Sequence, residues 1–177
     1  MRWVLGIAGL LVLVVVIVCA IGYMLPKSHV ASVSARFAAP PDSIWTSLTQ
    51  VDAFPKWRPD VSRVEPLPDE NGQRGWREFG KNDAVTYRVV ESAPPRRLVT
   101  RIADQNLPYG GSWTYELVPD GSGTRLTITE NGEVYNPIFR FASRFVLGYT
   151  STMEAVLRAL GARHGETVAP EPAGNPS

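Results

Sequence analysis

NPIFRFASRFVLGYTSTMEAVLRALGARH, residues 136–164, is the stretch on which the fold turns. Apolar side chains recur in it at Ile138, Phe141/Ala142, Phe145, Tyr149, Met153, Val156/Leu157 and Leu160. Steps of three and four predict one long helix with a single apolar face. Arg140, Arg144, Ser151, Glu154 and Arg158 fall largely on the other side, with Glu154 and Arg158 at the i,i+4 spacing of a favourable ion pair. Asn136-Pro137 is a start signal, a capping residue followed by a proline whose missing N–H costs nothing there. Gly161 or Gly165 can end the helix. So long an aromatic face needs a broad apolar surface, and Phe141, Phe145, Tyr149 and Met153 are expected to lie against a sheet.

The residues upstream supply one. In residues 29–39, Val33, Ala35 and Phe37 alternate with Ser32, Ser34 and Arg36, the period of a half-buried strand. Pro40-Pro41-Asp42-Ser43 breaks it, and Ile44, Trp45 and Leu48 read as a short helix. Phe54, Pro55, Trp57 and Pro59 make a second helical turn or loop, in which the tryptophans are expected chiefly to pack. Strands are predicted at 61–66, 75–79, 84–92, 98–103, 112–118 and from Leu126 to about Glu130. Between them stand turn signals at 68–72, at 81–83, at Pro94-Pro95, at Gly110-Gly111 and at Asp120-Gly121-Ser122-Gly123, the clearest hairpin loop. About six or seven antiparallel strands wrapped around the C-terminal helix is an α+β arrangement. From Thr167 on, Pro, Ala, Gly and Glu dominate, so residues 166–177 are expected to be a disordered tail.

Composition bounds the rest. The chain has 177 residues, is 44% apolar and carries a net charge of +1. Trp3–Met24 contains no charged residue, and its 22 residues at about 1.5 Å each would reach roughly 33 Å, enough for a bilayer core of about 30 Å. Val18-Cys19-Ala20 has small residues at a spacing that permits cleavage, but the apolar run continues through Ile21, Tyr23, Met24 and Leu25. A retained transmembrane anchor over residues 1–27 is therefore preferred to a signal peptide. The very short N-terminal flank favours a single-pass orientation with the domain, residues 28–165, outside the cytoplasm. No basic stripe points to nucleic acid. Cys19 is the single cysteine, so a disulfide within one chain is impossible.

The order of elements, together with particular residues, resembles a known family. Those residues are Ala39-Pro40-Pro41-Asp42-Ser43-Ile44-Trp45, Phe54-Pro55-Lys56-Trp57-Arg58-Pro59, and Gly111-Ser112-Trp113-Thr114-Tyr115-Glu116-Leu117 with the hairpin after it. Over residues 28–165 the chain resembles the START-like, helix-grip SRPBCC superfamily, in its polyketide cyclase/dehydrase-like branch. The resemblance implies a deep apolar cavity between the long helix and a concave sheet. Its members include lipid and hormone binders and cyclases. It does not account for the anchor.

Chemistry-bearing residues are few. His29 lies beside the membrane linker and His164 at the helix end, neither positioned as a core general base. No His/Asp/Glu cluster has metal spacing, and no phosphate-binding glycine loop occurs, so neither metal nor cofactor is expected. Glu130 shares strand parity with Leu126 and Ile128 and points inward, unless Asn131-Gly132 has already turned it to solvent. Its candidate partners are Arg101, Tyr87, Tyr115 and Arg140, since a buried lone charge is costly. Trp113 and Tyr115 are in phase with Leu117, and Tyr109 is a candidate gate. The expected ligand-binding set is Tyr87, Trp113, Tyr115, Glu130, Phe141, Phe145 and Tyr149. Two functions follow as expectations. One is a membrane-tethered domain binding a lipophilic molecule such as a lipid, quinone or polyketide-like compound. The other is a cyclase or dehydratase on a hydrophobic substrate, with Glu130 and Arg101 or Tyr115 supplying acid–base chemistry.

Overall fold

A computed structural model describes residues 2–81 and 83–174. Helix α1, Arg2–Met24, leads through Leu25-Pro26-Lys27 into β1, Ser28–Phe37. Helix α2, Pro41–Thr49, and a 3-10 turn, Val51–Lys56, follow. Then come six strands in succession: β2 Arg63–Glu70, β3 Gln73–Phe79, β4 Ala84–Ala93, β5 Arg97–Ile102, β6 Tyr109–Asp120 and β7 Gly123–Val134. They form one antiparallel sheet in the order β2-β3-β4-β5-β6-β7-β1, with a two-residue strand β8, Glu171–Pro172, added outside β1. The α+β architecture is as expected.

Several local expectations shift. Pro68 lies inside β2 rather than in a turn, and β2 is the sheet's edge, where a missing N–H need not break a ladder. The turn therefore shrinks to Asn71-Gly72, both at positive φ. Gly110-Gly111 belongs to β6 and is paired with Gly132 and Glu133 of β7. Tyr109 is likewise a strand residue, opposite Val134. Because β7 runs on through Asn131-Gly132, Glu130 keeps its inward parity.

Residues 166–174 of the expected tail pack against the domain. The Glu166 carboxylate accepts hydrogen bonds from the Ala38 and Ala39 amides at 2.7 and 3.1 Å. Val168 is buried, and β8 pairs with Val33 and Ser34. Residues 175–177 of the expected tail lie outside the described residues.

The largest correction concerns residues 136–164. The Asn136 side chain caps α3, Pro137–Ala142, by accepting from the Ile138 and Phe139 amides at 2.9 and 3.3 Å. After α3 the backbone widens into a π turn, Ser143–Leu147, closed by Gly148 N–H donating to the Ser143 carbonyl at 3.0 Å. Gly148 then takes φ 75° and ψ 173°, a conformation essentially reserved for glycine. The helix restarts as α4, Ser151–Arg163.

Of the two helices, α4 is the one that packs into the sheet's core. Its Met153, Val156, Leu157 and Leu160 pack with Ile44 and Leu48 of α2 on Val33, Ala35, Phe37, Leu117, Leu126 and Ile128. Burying each such side chain contributes about 1.5–3 kcal/mol before entropy is counted.

Helix α3 instead lies beside the end of α1. A Cβ at Gly22 would collide with the Pro137 carbonyl, so glycine is what allows the close approach. Buried Arg140 donates to the Tyr23, Leu25 and Tyr135 carbonyls at 3.5, 3.0 and 3.0 Å. Two of these lie at the end of α1, where carbonyls lack intrahelical partners. Phe141 is accordingly only half-buried, with its ring 4.9 Å from that of Phe145, and Phe145 is 59% exposed rather than packed on the sheet.

Candidate functional site

Strand register brings four of the seven expected ligand-binding residues onto one face. Trp113 lies opposite Glu130, Tyr115 opposite both Leu98 and Ile128, and Tyr87 between Trp76 and Ile102. Along this inward face, Leu98, Leu117, Leu126 and Ile128 are buried under α4 and α2. Toward the other end, Tyr87, Ile102, Tyr109, Trp113 and Glu130 are only half-buried. That is the end α3 leaves when it turns to α1.

Glu130 has a partner that strand parity did not indicate. His29 Nε2 lies 3.4 Å from Glu130 Oε1, and the His29 ring stacks on Tyr149 at 3.9 Å between centroids. The two atoms are close without being hydrogen-bonded, and buried His29 Nε2 has no hydrogen-bond partner among the described residues. Arg101 points to the exposed face and Arg140 is committed to α1. His29 is thus an interior residue, although the sequence sets it beside the linker. The register pairs it with Gly132, where the absent side chain leaves room for the imidazole.

A second polar cluster went unforeseen. Arg58, just beyond the 3-10 turn, places Nη1 3.0 Å from Glu78 Oε2 and Nη2 2.6 Å from Asp60 Oδ2. Trp76 Nε1–H donates to Glu78 Oε1 at 2.8 Å, and the Trp76 ring stacks on Tyr87 at 5.7 Å. Burial pushes the Glu78 carboxyl above its ordinary range despite the opposing pull of Arg58 and the Trp76 hydrogen bond. Burial alone would lower Arg58, but Glu78 and Asp60 outweigh it and hold the guanidinium charged. The Tyr87 and Tyr115 phenols are both pushed up by burial, so they remain neutral hydrogen-bond donors. A signal for this cluster was present in the sequence. Trp76 and Glu78 share a strand face, so a buried Trp76 carries Glu78 inward with it.

The arrangement has a definite chemical capacity. A half-open aromatic floor is flanked by two polar groups, Arg58–Glu78 at β3 and His29–Glu130 at β7 and β1. Such groups can orient a carbonyl, hydroxyl or carboxylate on an otherwise apolar molecule. Of the remaining expected residues, Tyr149 joins the site through His29, whereas Phe141 and Phe145 stand with α3 and the π turn, away from the aromatic floor. A separate cleft of about 320 Å³ opens where α2 and the 3-10 turn meet β3, β4 and β5, lined among others by Leu48, Val51, Trp76, Val89 and Leu98. None of the seven expected residues lines it. Among the described residues, no cluster of His, Cys, Asp or Glu is disposed to hold a metal.

Comparison with known proteins bears on the fold. The di-domain ARO/CYC StfQ from the steffimycin biosynthetic pathway superposes with a TM-score of 0.65 at 16% identity, over 78% of this chain and 53% of StfQ. The chain thus spans about half the length of that protein. A START superfamily protein from Mycobacterium smegmatis matches at TM-score 0.61 and 20% identity, over 76% of this chain and 96% of its own. Norcoclaurine synthase from Thalictrum flavum matches at TM-score 0.62 and 14% identity, over 78% and 87% respectively. At these identities the likeness establishes the START-like helix-grip fold. No curated protein matches the sequence. Residues 28–165 match the model of one family throughout, and the chain belongs to it: polyketide cyclase/dehydrase and lipid transport.

Proposed function

We propose that this chain is a membrane-tethered START-like domain that binds one lipophilic molecule, a lipid, quinone or polyketide-like compound, over the floor formed by Tyr87, Trp113 and Tyr115. The observation that carries the reading is the uneven covering of the inward face. Its aliphatic half is sealed, while its aromatic half is left partly open beside polar groups able to orient a ligand. Helix α1 is long and apolar enough to cross a bilayer, and in this reading it is retained as an anchor with the domain outside the cytoplasm. The anchor keeps the domain where lipid-soluble molecules concentrate.

A photoactivatable fatty-acid analogue, added to membranes containing the full chain and mapped by peptide mass spectrometry, tests the reading. Adducts are expected on the peptides bearing Tyr87, Trp113 and Tyr115. Adducts confined to α1 and residues 137–147 would contradict an interior site.

The Glu130–His29 contact favours a second reading, a cyclase or dehydratase acting on a hydrophobic substrate. A carboxylate beside an imidazole can serve as the base that takes a proton from a carbon acid, and the neutral Tyr115 phenol, diagonal to Glu130 across β6 and β7, can donate to the oxyanion. Glu130→Gln separates the two. A purely orienting role predicts weakened binding of polar ligands, whereas a catalytic role predicts intact binding and lost turnover of an activated poly-β-ketone.

A further inference from the structure

The segment after the sheet carries an apolar surface that the binding site does not use. Within residues 137–147, Ile138, Phe139, Phe145, Val146 and Leu147 are all exposed, Val146 by 72% and Leu147 by 65%. The only charged residues in this segment are Arg140 and Arg144. In water such a contiguous patch calls for an occupant.

The position of the patch identifies that occupant. From residue 3 to residue 24, the only positions of α1 that are not exposed are Val18, Cys19 and Gly22. They fall on one face, and α3 packs beside it. Val18 lies six residues back from Met24, so α3 accompanies α1 for about 9 Å along its axis. That is close to the depth, about 5–10 Å, at which interfacial amphipathic segments seat their apolar side chains. Arg140 locks the two elements together through the Tyr23 and Leu25 carbonyls. Wherever α1 enters a bilayer, the patch must enter with it.

We infer that residues 137–147 form a second membrane element, seated in the interfacial layer of the same bilayer that α1 crosses. The occupant of the patch is lipid. Exposed Arg144 is free to reach phosphate groups at the surface while Phe145, Val146 and Leu147 sit among acyl chains. The domain is then held in a fixed attitude, with the open aromatic half of its sheet on the side from which α3 departs. This inference rests on the reading of α1 as a membrane span.

Depth-resolved fluorescence quenching of the full chain tests it. In a Cys19→Ser background, single Val146→Cys, Phe145→Cys, Val118→Cys and Val12→Cys variants are labelled with a polarity-sensitive dye and placed in phosphatidylcholine–phosphatidylglycerol vesicles. Labels at positions 145 and 146 are expected to shift to the blue and to lose most of their emission to nitroxide-bearing lipid while resisting aqueous iodide. Val118 is exposed on the outer sheet face, and its label should show the reverse. Iodide quenching at 145 and 146 equal to that at 118 would overturn the inference. Protection of these labels from both quenchers would overturn it as well, marking a protein partner or a second copy of the chain. The label at position 12 reports separately. Lipid quenching there with iodide quenching at 145 and 146 would leave the anchor standing and remove only the second element. Iodide access at all three would remove both.

Discussion

The two halves of residues 136–164 have similar apolar spacing and opposite fates. In α4, Met153, Leu157 and Leu160 are 0% exposed beneath the sheet. In α3 and the π turn, Ile138, Phe139 and Phe145 have the same kind of side chain at similar intervals and stay uncovered. The difference arises from one glycine and one arginine. Gly148 lets the chain leave the helical path, and Arg140 rewards the new direction by satisfying carbonyls at the end of α1. Apolar periodicity therefore says that a face will be covered, but not by what. The same departure opens the aromatic end of the sheet, so the break that splits the helix also shapes the candidate site.

The largest expected effect comes from the open half. Glu78→Ala leaves the buried Arg58 guanidinium without its main partner and should cost about 3–5 kcal/mol. A much smaller loss in denaturant melts of the detergent-purified chain would mean that this end is wetter than the side-chain contacts indicate. Leu157→Ala, in the sealed half, should cost about 2–5 kcal/mol by opening a cavity. Gly148→Ala forces a Cβ into a glycine-only region although nothing crowds the position, and should cost about 1–3 kcal/mol. If it were neutral, the break between the two halves would be adjustable rather than built in. Smallest of all, Phe145→Ala should change stability by under about 0.5 kcal/mol, because its ring adds nothing to the sheet's core. A loss as large as that of Leu157→Ala would restore the single long helix.

Most of the fold was legible in the sequence because it rests on local rules. Alternation placed the strands, and Asp120-Gly121-Ser122-Gly123 placed a hairpin. Where a rule depends on context, sequence reading fell short. Pro68 reads as a breaker unless β2 is known to be an edge strand. The tail reads as disordered unless Glu166 is known to meet the Ala38 and Ala39 amides. The site was legible in half. Parity put Tyr87, Trp113, Tyr115 and Glu130 on one face, because parity is a property of single strands. The His29–Glu130 contact and the Arg58–Glu78 pair depend on register and on a loop's path, which no single segment encodes. Glu78 alone was within reach, two residues from a tryptophan that had to be buried.

The central claim is that the aromatic half of the inward face holds one lipophilic molecule. Native mass spectrometry of the chain purified from membranes in mild detergent tests it most directly, read against an Ile102→Trp variant that fills the open end of that face. The account predicts one bound lipophilic molecule per wild-type chain, and its absence from a variant that still melts cooperatively. A wild-type chain that carries no adduct when supplied with excess lipid, or a variant that binds as well as the wild type, would contradict it.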